Sequence, residues 1–205
     1  MAFIEHSQAP IEPDTKNKFF IVTGVSASGK DYLLDQLRLH TPRVGREIPV
    51  LSFGELLAQK TATLTQPVNS RDDLKAAMPQ SELRKLIDLV IKDLMGKQPA
   101  IVNTHVVYNQ QGSLQINPQV STEMNPVQYL FVWSDPDEIA ERRSLGTRKR
   151  LVETPDSIFL HQQIAQEVTR LIAAATGAGF TNVYNRTDNI YVNINKISDL
   201  LERIS

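Results

Sequence analysis

Residues 18–34, "KFFIVTGVSASGKDYLL", decide the fold. The stretch begins with an apolar run that ends at Gly24, passes through four residues to Gly29 and Lys30, and then enters a segment whose Leu33, Leu34 and Leu37 suit the apolar face of a helix. A G-x-x-x-x-G-K pattern between a buried strand and a helix is typical of a loop that holds a polyphosphate. Its glycines let successive N–H groups turn inward, and the helix that follows adds its positive end. The stretch therefore predicts an α/β fold with a phosphate site after the first strand.

The composition limits the class of protein. The chain has 205 residues, of which 41% are hydrophobic and 22% are charged, as expected for one globular domain. Its formal net charge of −1 gives no overall attraction to nucleic acid or to anionic membranes, so we expect neither as a partner. The absence of cysteine excludes disulfides, thiolate metal sites and cysteine nucleophiles. Without a basic and then apolar leader, and without an apolar run of ~18 residues, the sequence predicts a soluble cytoplasmic protein.

Strand-like and helix-like segments alternate along the chain. Residues 1–17 are polar and aperiodic, which indicates a flexible arm. We predict strands at residues 18–24, 48–53, 99–108, 127–134 and 179–185. We predict helices at residues 30–40, 55–63, 72–78, 81–96, 135–143, 155–176 and 193–204. The turn-rich residues 109–126 predict an active-site loop over a short helix. Apolar strands separated by helices predict a three-layer α/β fold, in which helices cover both faces of a five-stranded parallel sheet.

Lys30 and Asp31 complete the loop motif. A lysine at this position spans the terminal phosphates of a nucleoside triphosphate and follows the charge that develops during transfer. Asp31 stands where a serine or threonine usually contacts Mg²⁺. A carboxylate there changes the surroundings of the metal without excluding phosphoryl transfer. The alternative interpretation is an ordinary tight turn between a strand and a helix, which would not need Lys30.

Several further segments resemble one family, the archaeal-type adenylate kinases, which are small P-loop nucleoside monophosphate kinases. The segments are "IVTGVSASGK" (21–30), "LSFGELL" (51–57), "NSRDDLKAA" (69–77), "IVNTH" (101–105), "EMNPVQYLFVWSDPDEIAERR" (123–143), "TRKR" (147–150) and "GFTNVYN" (179–185). The "TH" that closes the third strand and the "TRKR" that follows "DPDEI" are the most specific of them. The resemblance implies a P-loop NTPase fold of the nucleoside monophosphate kinase type. It also implies an acceptor-binding helical insert at residues 55–80 and a short lid at residues 144–153.

The resemblance implies roles for individual residues. The residues that would hold ATP are Gly24, Val25, Ser26, Ala27, Ser28, Gly29, Lys30, Asp31 and, beside the donor adenine, Asn185. Those that would hold the acceptor are Phe53, Gly54, Arg71 and Thr104, with Arg71 on its phosphate. The catalytic residues would be Lys30, Arg142, Arg148 and Arg150, whose guanidinium groups would close over the transferred phosphoryl group. The archaeal family that the chain resembles forms trimers, so the resemblance leaves a homo-oligomer open for this chain.

The chain departs from the family pattern at the expected metal site. The family usually carries Asp-Thr-His at the end of the third strand, where the aspartate orders Mg²⁺, whereas this chain has Asn103, Thr104 and His105. The carboxylate lies instead on the loop, at Asp31. We therefore expect Mg²⁺, bound together with ATP, near Asp31 and Asn103, directly or through water. Residues 109–118 also lack the family's basic residue and its Tyr-Leu-Pro-Gly run, so the acceptor is less well defined.

Other polar side chains have simpler interpretations. A solvated basic helix end could account for Arg142, Arg143, Arg148, Lys149 and Arg150, although guanidinium groups suit phosphate oxygens well. We expect His105 to be a hydrogen-bonded structural residue rather than a base. Asp135 and Asp137 are expected to cap the helix that begins beside them.

The sequence thus predicts an enzyme that transfers a phosphoryl group from ATP to a nucleoside monophosphate, with AMP as the first acceptor. One rival is a kinase of the same fold that acts on another small acceptor, and the altered residues 109–118 favour it. A second rival is a nucleotide-binding protein with a degenerate metal site, which Asp31 and Asn103 favour.

Overall fold

The computed structural model describes residues 17–62, 79–110, 113–116, 123–145, 153–186 and 190–202. The strands in these ranges are β1 (Asn17–Thr23), β2 (Val50–Ser52), β3 (Ala100–Asn103), β4 (Val107–Gln110), β5 (Ser113–Ile116), β6 (Pro126–Trp133) and β7 (Gly179–Tyr184). The helices are α1 (Lys30–His40), α2 (Phe53–Ala62), α3 (Gln80–Met95), α4 (Pro136–Leu145), α5 (Pro155–Thr176) and α6 (Ile190–Glu202).

Five strands form one parallel sheet in the order β2-β3-β1-β6-β7. The central strand, β1, pairs with β3 on one side and β6 on the other. Its side chains alternate between two cores: Phe19 and Ile21 belong to one, Phe20 and Val22 to the other. All four are at most 1% exposed. A strand buried on both faces needs an apolar residue at every position, which is why its sequence is a continuous apolar run.

Helices cover both faces of this sheet. On the face of Phe20 and Val22, α1 and α6 contribute the buried residues Leu33, Leu34, Leu37, Ile190, Ile194, Ile197 and Leu201. On the opposite face, the core takes its side chains mainly from α2, α3 and α5. The predicted three-layer fold with a five-stranded parallel sheet is therefore confirmed.

Local signals placed several helix ends correctly. Helix α5 has the predicted bounds: the Thr154 hydroxyl accepts a hydrogen bond from the amide of Ser157 at 3.3 Å, and Gly177 ends the helix with a φ of 65°. At the start of α4, Asp135 Oδ1 accepts from the amide of Asp137 at 2.9 Å, which confirms Asp135 as a capping residue. These interactions are local in sequence, so the sequence alone reveals them.

The segment predicted as one strand over residues 99–108 is divided in two. Strand β3 ends at Asn103, and β4 pairs antiparallel with β5 in a separate two-stranded sheet. The expectation of a loop over a short helix at residues 109–126 is therefore wrong for residues 109–110 and 113–116, which belong to this hairpin. The missed signal is the pair Gln111 and Gly112, because a two-residue link containing glycine commonly joins hairpin strands.

Some predicted segments lie outside the described residues. They are residues 1–16 of the predicted arm, the helix at 72–78, residues 63–78 of the insert and residues 146–152 of the lid. Asn17, the last residue of the predicted arm, begins β1. Within the described ranges, no helix combines the length and the apolar character that a membrane crossing requires.

Candidate functional site

The loop of residues 24–30 lies between β1 and α1, at the edge of the sheet where the parallel strands have their carboxyl ends. Asn103 ends β3, Trp133 ends β6 and Asn185 follows β7 at the same edge. From β1 the chain continues to strands on one side, and it later returns to β6 on the other side. Crevices at such reversals are where open α/β sheets bind their ligands.

Three residues of the loop have positive φ angles, namely Gly24 at 148°, Ala27 at 69° and Gly29 at 79°. A Cβ at Gly24 would lie 2.5 Å from the carbonyl oxygen of Val132, and a Cβ at Gly29 would overlap the side-chain amide of Asn185. Both glycines are therefore required by backbone angle and by space. Ala27 holds an angle that costs an L-residue about 1–2 kcal/mol, so its surroundings must stabilise it.

Lys30 and His105 bind the first two carbonyl groups of the loop. Lys30 is only 6% exposed, and its Nζ donates to the carbonyl oxygens of Gly24 at 3.0 Å and Val25 at 2.9 Å. His105 Nδ1 lies 2.8 Å from the carbonyl oxygen of Gly24. Because a carbonyl oxygen can only accept, the imidazole proton of this hydrogen bond is on Nδ1. The expectation that His105 is a hydrogen-bonded residue is confirmed.

Two arginines of α4 reach the next two carbonyl groups from outside the loop. Arg143 donates to the carbonyl oxygen of Ser26 from both Nε, at 3.2 Å, and Nη2, at 3.1 Å. Arg142 Nη1 lies 3.4 Å from the carbonyl oxygen of Ala27, while its Nη2 pairs with Glu138 at 2.6 Å. Arg142, which the sequence predicted as catalytic, therefore lies against the loop.

The carbonyl oxygen of Ser28 accepts two hydrogen bonds, from Ser134 Oγ at 2.7 Å and from Asn185 Nδ2 at 3.0 Å. Gln162 of α5 fixes Ser134 in turn, because its Oε1 accepts from the Ser134 amide at 3.1 Å and its Nε2 donates to the Ser134 carbonyl at 2.9 Å. Asn185 is buried, and its side chain braces the loop. The family resemblance implies a role for Asn185 beside the donor adenine, and this role stays a prediction.

Five consecutive carbonyl groups, those of residues 24–28, thus accept hydrogen bonds. In a trans peptide the C=O and N–H bonds point in opposite directions, so a fixed carbonyl also fixes the amide of the next residue. Amides that turn inward next to a helix N-terminus form an anion site. The loop can therefore offer main-chain donors to a polyphosphate without rearranging its outer contacts.

Asp31 and Asn103 meet beside the loop. Asn103 Nδ2 donates to Asp31 Oδ1 at 2.7 Å, which brings the two predicted metal residues together. The described part of the chain holds no group of three His, Cys, Asp or Glu side chains that could bind a metal. Mg²⁺ needs no such cage, because it keeps several waters and takes oxygens from the phosphates and from one or two protein groups. The oxygens of this pair fit an ion that arrives with ATP.

Three predicted acceptor residues lie at the ends of β2 and β3. Thr104 is 2% exposed, and its Oγ1 has no hydrogen-bond partner among the described residues. Phe53 begins α2 and its side chain lies in the hydrophobic core, so only its main chain can reach an acceptor. Gly54 is buried next to it. Their acceptor roles stay predictions.

Three predicted site residues, Arg71, Arg148 and Arg150, lie outside the described residues. Three further contributors, Ser134, Gln162 and Glu153, were not predicted from the sequence. Arg143 was predicted only as part of a basic helix end. Two adjacent arginines on a helix point about 100° apart, so the sequence could not tell which one faces the loop.

Arg143 also belongs to a buried cluster of ionisable side chains with Glu153 and His161. Arg143 Nη1 forms an ion pair with Glu153 Oε2, and both side chains are only 7% exposed. Glu153 Oε1 lies 3.9 Å from His161 Nδ1. Burial lowers the pKa of His161 from its ordinary value, and Arg143 adds to this effect, while Glu153 opposes it. His161 is therefore neutral at pH 7.

Comparisons with known proteins agree with this geometry. A family model described as "AAA domain" matches residues 23–158. An adenylate kinase from Methanococcus aeolicus is 27% identical over 191 residues, which cover 91% of this chain and 98% of the relative. An adenylate kinase from Methanothermobacter thermautotrophicus is 27% identical over 192 residues, which cover 90% of this chain and 100% of the relative. These relatives confirm the resemblance to archaeal-type adenylate kinases that the sequence motifs indicated.

A solved structure shows the same fold. Shikimate kinase from Bacteroides thetaiotaomicron matches with a TM-score of 0.58 at 13% identity, over 90% of this chain and 98% of that one. At this identity the likeness concerns the fold alone.

Proposed function

The chain belongs to the AAA domain family, and on this premise we propose that it transfers a phosphoryl group from ATP to a nucleoside monophosphate, with AMP as the first acceptor. One observation carries the proposal: the carbonyl groups of loop residues 24–28 are all hydrogen-bonded, and Lys30 lies buried at the centre of the loop. The adenylate kinase relatives, which match almost their whole length, support AMP as the acceptor.

Binding of ATP would rely on main-chain amides and on Lys30. The amides of the loop and the start of α1 would hold the phosphates, since both present positive partial charge. Lys30 Nζ, which bonds to the carbonyl oxygens of Gly24 and Val25, would exchange these partners for phosphate oxygens. A lysine that follows the moving charge stabilises the transition state more than the bound substrate, and such differential binding accelerates the reaction.

In the transfer itself, an oxygen of the acceptor phosphate attacks the γ-phosphorus, and the bond to the β-phosphate oxygen breaks. The acceptor phosphate is already anionic, so the step needs little help from a general base. The contribution of the protein is to align the two nucleotides and to neutralise charge on the transferred group. We assign the second task to Arg142, Arg148 and Arg150 together with Lys30.

Magnesium bound with ATP would supply charge neutralisation to the phosphates. Asp31 and Asn103 are the residues that would hold it, either directly or through water. The loop carboxylate would take the part that the family gives to an aspartate on the third strand. The proposed reaction needs neither nucleic acid nor a membrane, and the cytoplasm, where ATP and AMP are dissolved, is the location that it implies.

A panel of acceptors in one ADP-release assay tests the proposal. We expect AMP to give two ADP for each ATP consumed, and to react faster than CMP, UMP, deoxynucleoside monophosphates or shikimate. Lys30→Met should abolish turnover, whereas Lys92→Met, which removes an exposed lysine of α3, should leave it unchanged.

The same panel separates the two rivals. A faster reaction with a non-nucleotide acceptor would favour the rival kinase, to which the altered residues 109–118 point. If ATP raises the melting temperature but no acceptor is phosphorylated, the chain is a nucleotide-binding protein with an inactive metal site.

A further inference from the structure

We propose that Arg143 is a positioning residue for the phosphate-binding loop and that Glu153 holds Arg143 in place. The proposal concerns the buried cluster on the outer side of the loop and assigns no contact with substrate to either residue. It rests on the proposed function in one respect, namely that the loop binds the phosphates of ATP.

The geometry uses the whole guanidinium group of Arg143. Its Nε and Nη2 both donate to the carbonyl oxygen of Ser26, and its Nη1 pairs with Glu153. The planar fork of an arginine can satisfy two acceptors on different edges in a fixed geometry, whereas a lysine is a point charge on a flexible stem. Lysine at this position would keep the charge and lose the geometry, which makes Arg143→Lys an informative change.

Burial distinguishes this ion pair from others on the surface. Both partners are 7% exposed, whereas the side chains of Arg170 and Glu167 on α5 are 60% and 54% exposed. A buried ion pair contributes little net stability, because desolvation offsets most of its attraction. The pair instead holds the guanidinium group in one defined position, from which it donates to the Ser26 carbonyl.

The Ser26 carbonyl belongs to the peptide that precedes Ala27, the loop residue whose backbone angle is least favourable for its side chain. The peptide that joins Ser26 to Ala27 carries the Ser26 oxygen on one side and the Ala27 N–H on the other. Ala27 has a φ of 69°, which an alanine adopts only when its surroundings impose it. With Arg143 holding the oxygen outward, the Ala27 N–H points toward the opposite side of the peptide. Without these hydrogen bonds the peptide could rotate, and the Ala27 N–H would no longer be available as a hydrogen-bond donor to a phosphate.

The contacts also connect distant parts of the chain. Ser26 and Arg143 are 117 positions apart, and Arg143 immediately precedes the predicted lid at residues 144–153, of which Glu153 is the last residue. Glu153 also accepts a weak hydrogen bond from Ser157 Oγ, 3.5 Å away in the first turn of α5. The loop, the end of α4 and the start of α5 therefore share one buried cluster.

The test compares Arg143→Lys and Glu153→Gln with a matched control, Arg170→Lys, in the full-length protein. We expect Arg143→Lys to raise the ATP dissociation constant, measured calorimetrically, about tenfold or more, and Glu153→Gln to raise it less. The KM for AMP should change by less than about twofold. Arg170→Lys should change neither quantity, because that pair lies on the exposed surface of α5.

A melting temperature measured for each variant separates positioning from general stability. An unchanged ATP dissociation constant in Arg143→Lys, with or without a lower melting temperature, would overturn the proposal. Additive effects of Arg143→Lys and Glu153→Gln in the double variant would overturn the role of Glu153, since residues that act as one unit are coupled.

Failure of the proposed function has a different signature. If the unmodified protein binds ATP but phosphorylates no acceptor, the function is wrong, while the comparison of ATP affinities still decides on Arg143. If the unmodified protein does not bind ATP, the positioning proposal is overturned as well.

Discussion

Asn103 donates a 2.7 Å hydrogen bond from Nδ2 to Asp31 Oδ1, which joins the carboxyl end of β3 to the first turn of α1. Two residues 72 positions apart in the sequence thus form a pair at the edge of the phosphate-binding loop. The bond orients the carboxylate and leaves its second oxygen and the Asn103 amide oxygen for other ligands. This pairing is the arrangement expected if the carboxylate and its partner have exchanged places between loop and strand.

A double-mutant cycle with Asp31→Thr and Asn103→Asp tests this exchange. Each single change should raise the Mg²⁺ concentration needed for half-maximal ADP formation. Asp31→Thr removes the only carboxylate of the pair, and Asn103→Asp sets two carboxylates within hydrogen-bond distance of each other. The double variant should recover much of the loss, which corresponds to a coupling free energy of about 1 kcal/mol or more. Turnover measured over a range of Mg²⁺ concentrations for the wild type and the three variants gives this coupling free energy. Effects that simply add would contradict the exchange.

The sequence was sufficient for the layers of the fold because their signals are local. The apolar run of β1, the glycines at 24 and 29, and the caps of α5 each depend on residues within a few positions of one another. Strand β3 is different. It ends at Asn103 because the chain then turns toward the end of β1, where the Val106 amide donates to Thr23 Oγ1 at 3.1 Å. Residues 103–105 are polar, but the apolar residues on both sides of them make residues 99–108 resemble one strand.

The support of the loop could not be predicted for the same reason. Arg143, Ser134 and Asn185 bind loop carbonyls across separations of more than 100 positions. Their sequence neighbourhoods resemble ordinary helix ends and strand ends. Only the parallel sheet, which gathers the carboxyl ends of β6 and β7 beside β1, brings them to the loop.

Gly29 should be far less tolerant of substitution than a glycine outside the site. Gly29→Ala would force an alanine to a φ of 79° and place its Cβ against the Asn185 amide. We expect ATP affinity to fall about tenfold or more, since both the loop and its brace must move. Gly96→Ala is the control, because Gly96 has a φ of −79° and its nearest neighbour would lie 3.7 Å from the new Cβ. Calorimetric titration with ATP measures both variants, and equal affinities would contradict the assignment.

The arginines of the predicted lid should affect turnover more than binding. We expect Arg148→Ala, and separately Arg150→Ala, to reduce kcat about a hundredfold or more, because a cation aimed at the transferred phosphoryl group acts mainly in the transition state. The ATP dissociation constant should change by only a few-fold. Arg170→Ala, on the exposed surface of α5, is the matched control. An Arg148→Ala variant with normal turnover would show that this role is misassigned.

His161 should make the stability of the protein depend on pH in the mildly acidic range. It is 4% exposed, and neither ring nitrogen has a hydrogen-bond partner among the described residues. Burial lowers its pKa in the folded state, with a further contribution from Arg143 and opposition from Glu153. The unfolded chain therefore binds more protons than the folded one below about pH 6.5, the ordinary pKa of histidine. Stability that is complete above this pH is lost as the pH falls toward the folded-state pKa, by up to about 1.4 kcal/mol per pH unit.

Urea unfolding of the wild type and of His161→Gln between pH 7.5 and 5 measures this dependence. Glutamine does not titrate, so the variant should lose less unfolding free energy over that interval, whatever its stability at pH 7.5. His40→Gln is the control, because His40 is exposed at the end of α1, where its ring meets the edge of Tyr191.

Because Glu153 lies 3.9 Å from His161 and also holds Arg143, protonation of His161 would draw Glu153 from its partner. We therefore expect ATP affinity to decline over the same pH range in the wild type and less in His161→Gln. Parallel stability curves for the wild type and His161→Gln would mean that the buried imidazole carries no proton linkage.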